Sequence, residues 1–380
     1  MISFLFIFII MAYLFIIGWL SYGFNKVDDF KMQDLPLKTT FSVVIPFRNE
    51  AENLPKLLES ISKLNYPKSM FEVILVDDDS EDDSVAILNK LISDRPFDCA
   101  QGDIQVIKNK RTSNSPKKDA ITSAIRVSKY DWIVTTDADC ILPQYWLDTF
   151  NDCIQLNHSN CIVAPVTYHS KTSFLNRFQT LDFLSLQGAT IGGFGIKKPF
   201  LCNGANFAYR KSEFKSVKGF EGNDTIASGD DVFLLEKFIK LDAKKVQYLK
   251  SRHAIVTTNA TKTMTDLIQQ RLRWASKTSQ NTYWFTKAVG LIVFLGNFVC
   301  LGLLPAMYFN GITLKTAIAL FVIKLSIDFL LLFKTVRFFK QETLLVSYVF
   351  SSFLYPIFNV CIAFLSFFTP YNWKGRRFAK

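Results

Sequence analysis

The sequence predicts a mostly parallel α/β domain joined to membrane-crossing helices at both ends. Two observations carry this. Four long apolar stretches lie at the ends of the chain, and the region between them alternates short apolar runs with amphipathic ones. Met1 to Asn25, Ala288 to Phe309 and Thr343 to Phe368 carry no charge, and Ile312 to Phe333 carries only Lys315, Lys324 and Asp328. A helix that crosses a bilayer needs about 20 apolar residues, and each stretch is long enough. The charges removed from these stretches crowd the remainder, which reaches the charged fraction of a soluble domain, about a quarter.

The elements of the central region follow in order. Phe41 to Pro46 reads as a strand, followed by a helix to about Leu64. Glu72–Val76 is the second strand, with a helix from about Asp83 to Ile92, and Asp103–Ile107 is the third. Ser115 and Pro116 supply an N-cap and a first-turn proline for a helix to about Val127. Trp132–Thr136 is the fourth strand. Strands alternating with helices predict right-handed crossovers and a parallel sheet. The resulting organisation is an anchor at 1–25, an α/β domain at 39–262, an amphipathic interfacial helix at 263–285, a membrane region at 288–368 and a basic tail at 369–380.

The first apolar stretch lacks a basic n-region and a small-residue cleavage site, so it reads as a retained anchor rather than a signal peptide. Lys26, Lys31 and Lys38 follow it, which places the α/β domain in the cytoplasm by the positive-inside rule. The expected location is the cell (inner) membrane. A full crossing by Thr343–Phe368 would put the basic tail on the far side. Pro356 allows a re-entrant hairpin that returns it, so two or three C-terminal crossings are expected. Lys324 and Asp328 stand one turn apart inside a span, where mutual pairing is the expected role and a place on a substrate path the sharper one.

Composition excludes several classes. The seven cysteines, Cys99 among them, are scattered without a C-x-x-C spacing, and the three histidines lie far apart. Neither a disulfide scaffold nor a thiolate zinc site is indicated. The net charge of +11 comes with no nucleic-acid motif. Much of the excess sits beside span ends, from Lys334 to Lys340 and from Lys374 to Lys380, where membrane lipid is the simpler partner.

In parallel sheets ligands collect at the carboxyl ends of the strands, and the unusual residues are there. The first strand ends in Pro46-Phe47-Arg48-Asn49-Glu50, the second in a run with five acids among Asp77 to Asp82, and the fourth in Asp137-Ala138-Asp139. Carboxylates stacked at one edge need a cation or donors to offset their repulsion. Two aspartates one residue apart are suited to one hard divalent cation, Mg²⁺ or Mn²⁺, that shares substrate phosphates. Gly229-Asp230-Asp231 precedes an apolar run and also makes a good helix N-terminus.

These motifs together resemble the membrane-bound family 2 glycosyltransferases of the GT-A fold. The resemblance runs from Val-Ile-Pro-x-x-Asn-Glu through Val-Asp-Asp, Asp-Ala-Asp and Gly204-Ala-Asn206 to Gly-Asp-Asp and Gln270-x-x-Arg273-Trp274, over residues 41 to about 285. It implies a Rossmann-like sheet and an inverting transfer from a nucleotide sugar. Pro46, Glu50 and Asp78 then shape the nucleoside pocket, and Lys117, with Lys118 beside it, falls where the family often has a lysine near the donor phosphates. Asp139, with Asp137, is implied to bind a divalent metal that clamps the diphosphate. Asp231, with Asp230, takes the place of the general base.

The same resemblance implies that Gln270 and Arg273 reach the diphosphate, while Trp274, Gly204 and Asn206 belong to the acceptor side. Arg271, Arg273 and Lys277 with Leu267, Leu272 and Trp274 also read as an interfacial basic helix from about Thr263. The implied partners are a nucleotide-sugar donor, with UDP favoured on family grounds, and a lipid or lipid-linked acceptor, without nucleic acid. Three C-terminal apolar segments are few for a polysaccharide channel, which favours single transfer over processive synthesis. The third strand lacks a motif, and Gly-Asp-Asp departs from the Thr-Glu-Asp of many synthases. A nucleotidyltransferase is disfavoured because residues 46–55 hold no glycine for a phosphate loop.

Overall fold

The computed structural model describes residues 2–94, 103–169, 172–223, 228–280 and 282–378 of the chain. Cys99, Lys380 and the side chain of Lys277 lie outside the described residues. In chain order the elements are α1 (Ile2–Phe24), β1 (Phe41–Phe47), α2 (Leu54–Ser62), β2 (Phe71–Asp77), α3 (Ser84–Asp94), β3 (Asp103–Lys108), α4 (Pro116–Val127), β4 (Trp132–Thr135) and α5 (Trp146–Asn157). There follow β5 (Cys161–Val163), β6 (Val166–Tyr168), α6 (Phe174–Gly195), β7 (Phe207–Arg210), α7 (Lys211–Ser216), α8 (Val232–Asp242), β8 (Val246–Tyr248) and β9 (Val256–Thr258). The chain continues with α9 (Met264–Gln280), α10 (Trp284–Tyr308), α11 (Leu314–Phe338), α12 (Tyr348–Phe368), β10 (Tyr371–Trp373) and β11 (Arg376–Phe378). It divides into an α/β unit, 28–169 with 202–259, and a helical unit, 1–27 with 170–201 and 260–380.

The α/β unit is built on a seven-stranded sheet in the order β3-β2-β1-β4-β7-β5-β8. β1, β2, β3 and β4 are mutually parallel, as the alternating pattern predicts, while β7 runs antiparallel to β4 and β5. β1 and β2 are almost continuously apolar because both faces of a parallel sheet are covered. α4 presents Ala120, Ile121, Ala124 and Ile125 at helical spacing, all buried. Pro116 opens that helix as expected, but the Ser115 hydroxyl makes no capping bond there.

Register decides where chemistry collects. Phe47, Asp77 and Lys108 share one row at the carboxyl edge of the sheet. Thr135, the last residue of β4, pairs with Phe207, the first of β7. The antiparallel β7 therefore brings Gly204-Ala205-Asn206 to the edge that β4 reaches with Asp137 and Asp139. Pro46 fits inside β1 because its missing N–H faces the β4 side. The last bond there is Thr136 N–H to Val44 C=O, and the β2 side is served by Asp78 N–H to Phe47 C=O.

Among the described residues of the helical unit, four helices, α1, α10, α11 and the segment Glu342–Phe368, are long and apolar enough to cross a membrane by length and composition. α1 lies beside α11 in the same direction, with Ser3 Oγ donating to Gly311 C=O at one end and Lys334 Nζ to Ser21 at the other. α6 crosses α1 at glycines. A Cβ on Gly192 would stand 2.3 Å from Leu20 O, and one on Gly23 would stand 2.2 Å from Gly192 O. No side chain fits between backbones at that range. This corrects the expected boundary, since residues 170–201 pack with the apolar helices instead of belonging to one continuous domain at 39–262.

Pro356 does not break its segment into a hairpin, because it sits within the single helix α12. That helix starts beside the middle of α11, where the Tyr348 hydroxyl donates to Leu325 C=O and the rings of Phe353 and Phe321 stack at 5.2 Å. The tail then folds into the β10–β11 hairpin. The N–H of Asn372 donates to Gln269 of α9, so the tail returns to the helix that leads into α10.

Candidate active site

At the centre of the α/β unit's carboxyl edge stands one ammonium. Lys117 Nζ lies 2.7 Å from Asp137 Oδ1 and 3.2 Å from Asp230 Oδ2. Lys117 is set there by the first turn of α4, Asp137 by the end of β4, and Asp230 by the turn before α8. Burial opposes the lysine's charge, but Asp137 and Asp230, with Asp231 behind them, outweigh it and hold its pKa above the ordinary lysine value. One cation thus offsets the repulsion of carboxylates from separate elements.

Asp231 is the N-cap of α8. Its Oδ1 accepts from the Val232 N–H at 2.8 Å and its Oδ2 from the Gly204 N–H at 3.2 Å. These two donors lock the carboxylate's orientation. Gly229, just before the pair, has φ +85°, and a Cβ there would stand 2.6 Å from the Phe233 ring. The Gly-Asp-Asp sequence is therefore what this turn admits. Gly204 is equally constrained, since a Cβ on it would lie 2.9 Å from Asp230 Oδ2. Its role is to let the carboxylates close up, not to present a side chain.

Asp78 is buried at the end of β2. Its Oδ1 accepts from Asn109 Nδ2 at 2.7 Å and from Arg111 Nε at 2.9 Å. Arg48, also buried, donates to the Asp78 carbonyl at 3.1 Å and pairs with Glu81 at 2.8 Å. Asn49 and Asp79 both adopt left-handed φ, 53° and 66°, which Asn and Asp tolerate. The Asn49 side chain accepts from the Glu81 N–H, joining the two strand-end loops. Glu50 is held by Asn53 Nδ2 at 2.6 Å. Asn109 and Arg111 were not foreseen from the sequence, and Arg48 was placed at the strand end without a role. Arg111 follows the strand without a motif, and no spacing distinguishes it from the neighbouring lysines.

Asp137 and Asp139 are half-buried on one loop, and Asp139 Oδ2 accepts from the Thr258 hydroxyl at 3.0 Å. Among the described residues no cluster of three His, Cys, Asp or Glu side chains encloses a metal position. A two-carboxylate donor set fits a hard cation that completes its shell with substrate oxygens and water, and it does not fit a closed structural site.

Two assignments are corrected by burial. Asn206 is wholly inaccessible. Its Oδ1 accepts from Trp146 Nε1 at 2.9 Å, and its Nδ2 donates to the carbonyls of Pro165 and Ala254 at 2.8 and 2.7 Å. With its amide spent on the fold, it makes no acceptor contact. Lys118 is likewise buried, donating to Asn223 C=O at 2.6 Å over the Phe233 ring.

The helical unit holds a second cluster on α9. Arg271 pairs with Asp182 of α6 at 2.6 Å and lies 4.2 Å over the ring of Trp274, whose other neighbour is Phe183. Gln270 accepts from Arg271. Arg273 stacks on Trp373 at 5.2 Å, and its Nε is buried without a hydrogen-bond partner. Leu267, Leu272 and Arg271 are buried, so that face of α9 packs inside the protein instead of lying on lipid.

The sheet order and the strand-end carboxylates are those of the GT-A fold. The chain belongs to glycosyl transferase family group 2, whose profile matches residues 132–369, and the profile of glycosyl transferase family 2 matches residues 42–217. Among curated relatives, it is 24% identical over 278 residues to a poly-beta-1,6-N-acetyl-D-glucosamine synthase of Staphylococcus epidermidis, covering 70% of this chain and 62% of that protein. The Staphylococcus aureus synthase is 24% identical over 265 residues, covering 67% and 58%. The chain thus spans about three-fifths of the length of these relatives. Among solved structures, a mannosyltransferase of Pyrobaculum calidifontis in complex with GDP-Man and Mn²⁺ shares the fold. Its TM-score is 0.63 at 14% identity, with 97% of this chain and 99% of that chain covered.

Proposed function

We propose that the protein is a membrane-bound inverting glycosyltransferase that moves a sugar from a nucleoside-diphosphate sugar to a membrane-associated acceptor. The observation that carries this is the convergence of Lys117, Asp137, Asp230 and Asp231 at the sheet edge that also holds Asp78. UDP is the favoured nucleotide, since the curated relatives are named for an N-acetylglucosamine polymer and the family commonly uses UDP-sugars. The α/β unit is assigned to the cytoplasmic face of the cell membrane, on the basic residues that follow α1.

In this reading Asp78, Glu50 and Pro46 hold the nucleoside. Arg111 and Asn109 keep the Asp78 carboxylate in place. Lys117 stands beside the diphosphate. Asp139 and Asp137 would hold Mg²⁺ or Mn²⁺, which when bound acts as a Lewis acid toward the departing diphosphate. Asp231, fixed by two backbone N–H groups, takes the proton from the acceptor hydroxyl as that oxygen attacks the anomeric carbon from the face opposite the leaving group. Gln270 and Arg273 are assigned to the diphosphate, Arg273 by the planar fork that fits phosphate oxygens. Trp274 is assigned to the acceptor.

A second reading, processive synthesis of a polysaccharide, is favoured by the named activity of the relatives and by Gln-x-x-Arg-Trp. The two are separated by product size. Labelled product that stays at one added sugar and partitions with lipid supports single transfer, and a ladder of lengthening glycans supports the polymerase.

A further inference from the structure

The loop that carries Asp137 and Asp139 is fixed by a strand far along the chain. Just past Asp139, the Ile141 N–H donates to the Thr257 carbonyl of β9 at 2.8 Å, and the Thr257 N–H donates back to the Ile141 carbonyl at 3.1 Å. β9 is itself held in parallel register on β6. Tyr168 stands opposite Thr258, and the His169 N–H donates to the Thr258 carbonyl at 3.0 Å. Successive side chains of a strand point to opposite faces. Of the two neighbouring threonines, Thr258 is the one whose hydroxyl reaches Asp139, donating to Oδ2 at 3.0 Å.

The chemistry of this donor differs from that beside the other strand-end acids. Asp137 faces the Lys117 ammonium at 2.7 Å, and Asp78 faces the Arg111 guanidinium at 2.9 Å. A cationic partner offsets a carboxylate's charge as well as orienting it. The Thr258 hydroxyl is neutral, so it fixes the direction of the Asp139 carboxylate without offsetting its charge. Cys140 Sγ, 3.9 Å from Oδ1, is a weaker donor to the same side chain. A metal-ligating carboxylate that is hydrogen-bonded from behind binds its cation more tightly, because less rotational freedom is lost when the cation arrives.

We propose that Thr258 is a positioning residue for the divalent cation, its hydroxyl holding the Asp139 carboxylate in the direction from which it ligates. This rests on the reading of Asp139 as a metal ligand, and the test separates the two. The full chain, purified in detergent, is titrated with Mn²⁺ in the presence of UDP, with GDP in a parallel series. Bound metal is read from the loss of the electron paramagnetic resonance signal of free Mn²⁺, so no turnover enters the readout.

Thr258→Val keeps the β-branched shape that suits a strand and removes the donor. It is expected to weaken Mn²⁺ binding by about 10–100-fold, and Thr258→Ala to do the same. Thr258→Ser keeps the hydroxyl and should bind as the wild type does. Thr257→Val, one residue away on the opposite face, should also bind as the wild type does, and thermal unfolding should show each variant folded. Binding unchanged in Thr258→Val and Thr258→Ala, but lost in Asp139→Ala, overturns the role of Thr258 and leaves the metal site standing. Binding as weak in Thr258→Ser as in Thr258→Val assigns the effect to packing and likewise overturns that role. Binding that survives Asp139→Ala, or wild-type protein that binds no Mn²⁺, overturns the metal reading and the role of Thr258 with it.

Discussion

Replacing Lys117 with methionine leaves Asp137 and Asp230 facing one another with their shared counter-ion gone. Loss of a charged partner from so buried a cluster is expected to cost about 1–3 kcal/mol, read as a lower unfolding temperature in detergent. Lys118→Met should instead disturb the contacts with Asn223 and the Phe233 ring. Because the Lys117 pKa is raised on folding, its contribution is fully present below the ordinary lysine value of about 10.4 and fades only as pH climbs through the folded value. The stability gap between wild type and Lys117→Met is therefore expected to stay flat from neutral pH to about pH 9. A gap that closes within that window would contradict the assignment. At Asp231, substitution by asparagine keeps a cap for α8 but removes the base. Transfer should fall by about 10²–10⁴-fold with donor binding kept, and normal turnover in a folded Asp231→Asn protein would remove Asp231 from the mechanism. The acids were legible in the sequence because strand ends gather ligands whatever the side-chain details. Arg111 and Asn109 were not, since they act through a loop that has no period.

Single elements show what a motif conceals. Gly204-Ala-Asn206 marks the right edge of the sheet, but position along a motif says nothing of exposure, and Asn206 serves Trp146, Pro165 and Ala254. Asn206→Ala should cost about 1–3 kcal/mol for each partner left unpaired. The effect should appear in thermal unfolding and leave the acceptor KM of the surviving folded enzyme unchanged. The helix α6 was missed for a related reason. Most of its residues are buried on several faces, so its sequence shows no apolar stripe, and its glycines let α1 approach. The C-terminal hairpin gives the opposite case. Its basic residues were legible as a tail, but its contact with α9 was not. Trp373 stacks on Arg273, so Trp373→Ala should raise the donor KM severalfold if Arg273 serves the diphosphate. An unchanged KM would separate the two.

For the whole molecule, the α/β alternation and the four apolar stretches were readable because each depends on period and length, which the chain states directly. The division between units was not readable, because residues 170–201 leave the α/β unit in sequence and join helices more than a hundred residues away. The course of α12 also depends on tertiary contact, as Tyr348 reaches the middle of α11. The central proposal is that a nucleotide sugar reacts at the Lys117–Asp230–Asp231 cluster. The most direct test is nucleoside-diphosphate release by the full chain with native membrane lipids present. It would use a panel of nucleotide sugars, with Mg²⁺ or Mn²⁺ against EDTA, alongside Asp139→Ala and Asp231→Asn. Release from one donor is expected, abolished by EDTA and by both substitutions in folded protein. Release that persists in EDTA or in Asp231→Asn, or no binding of any donor, would contradict it.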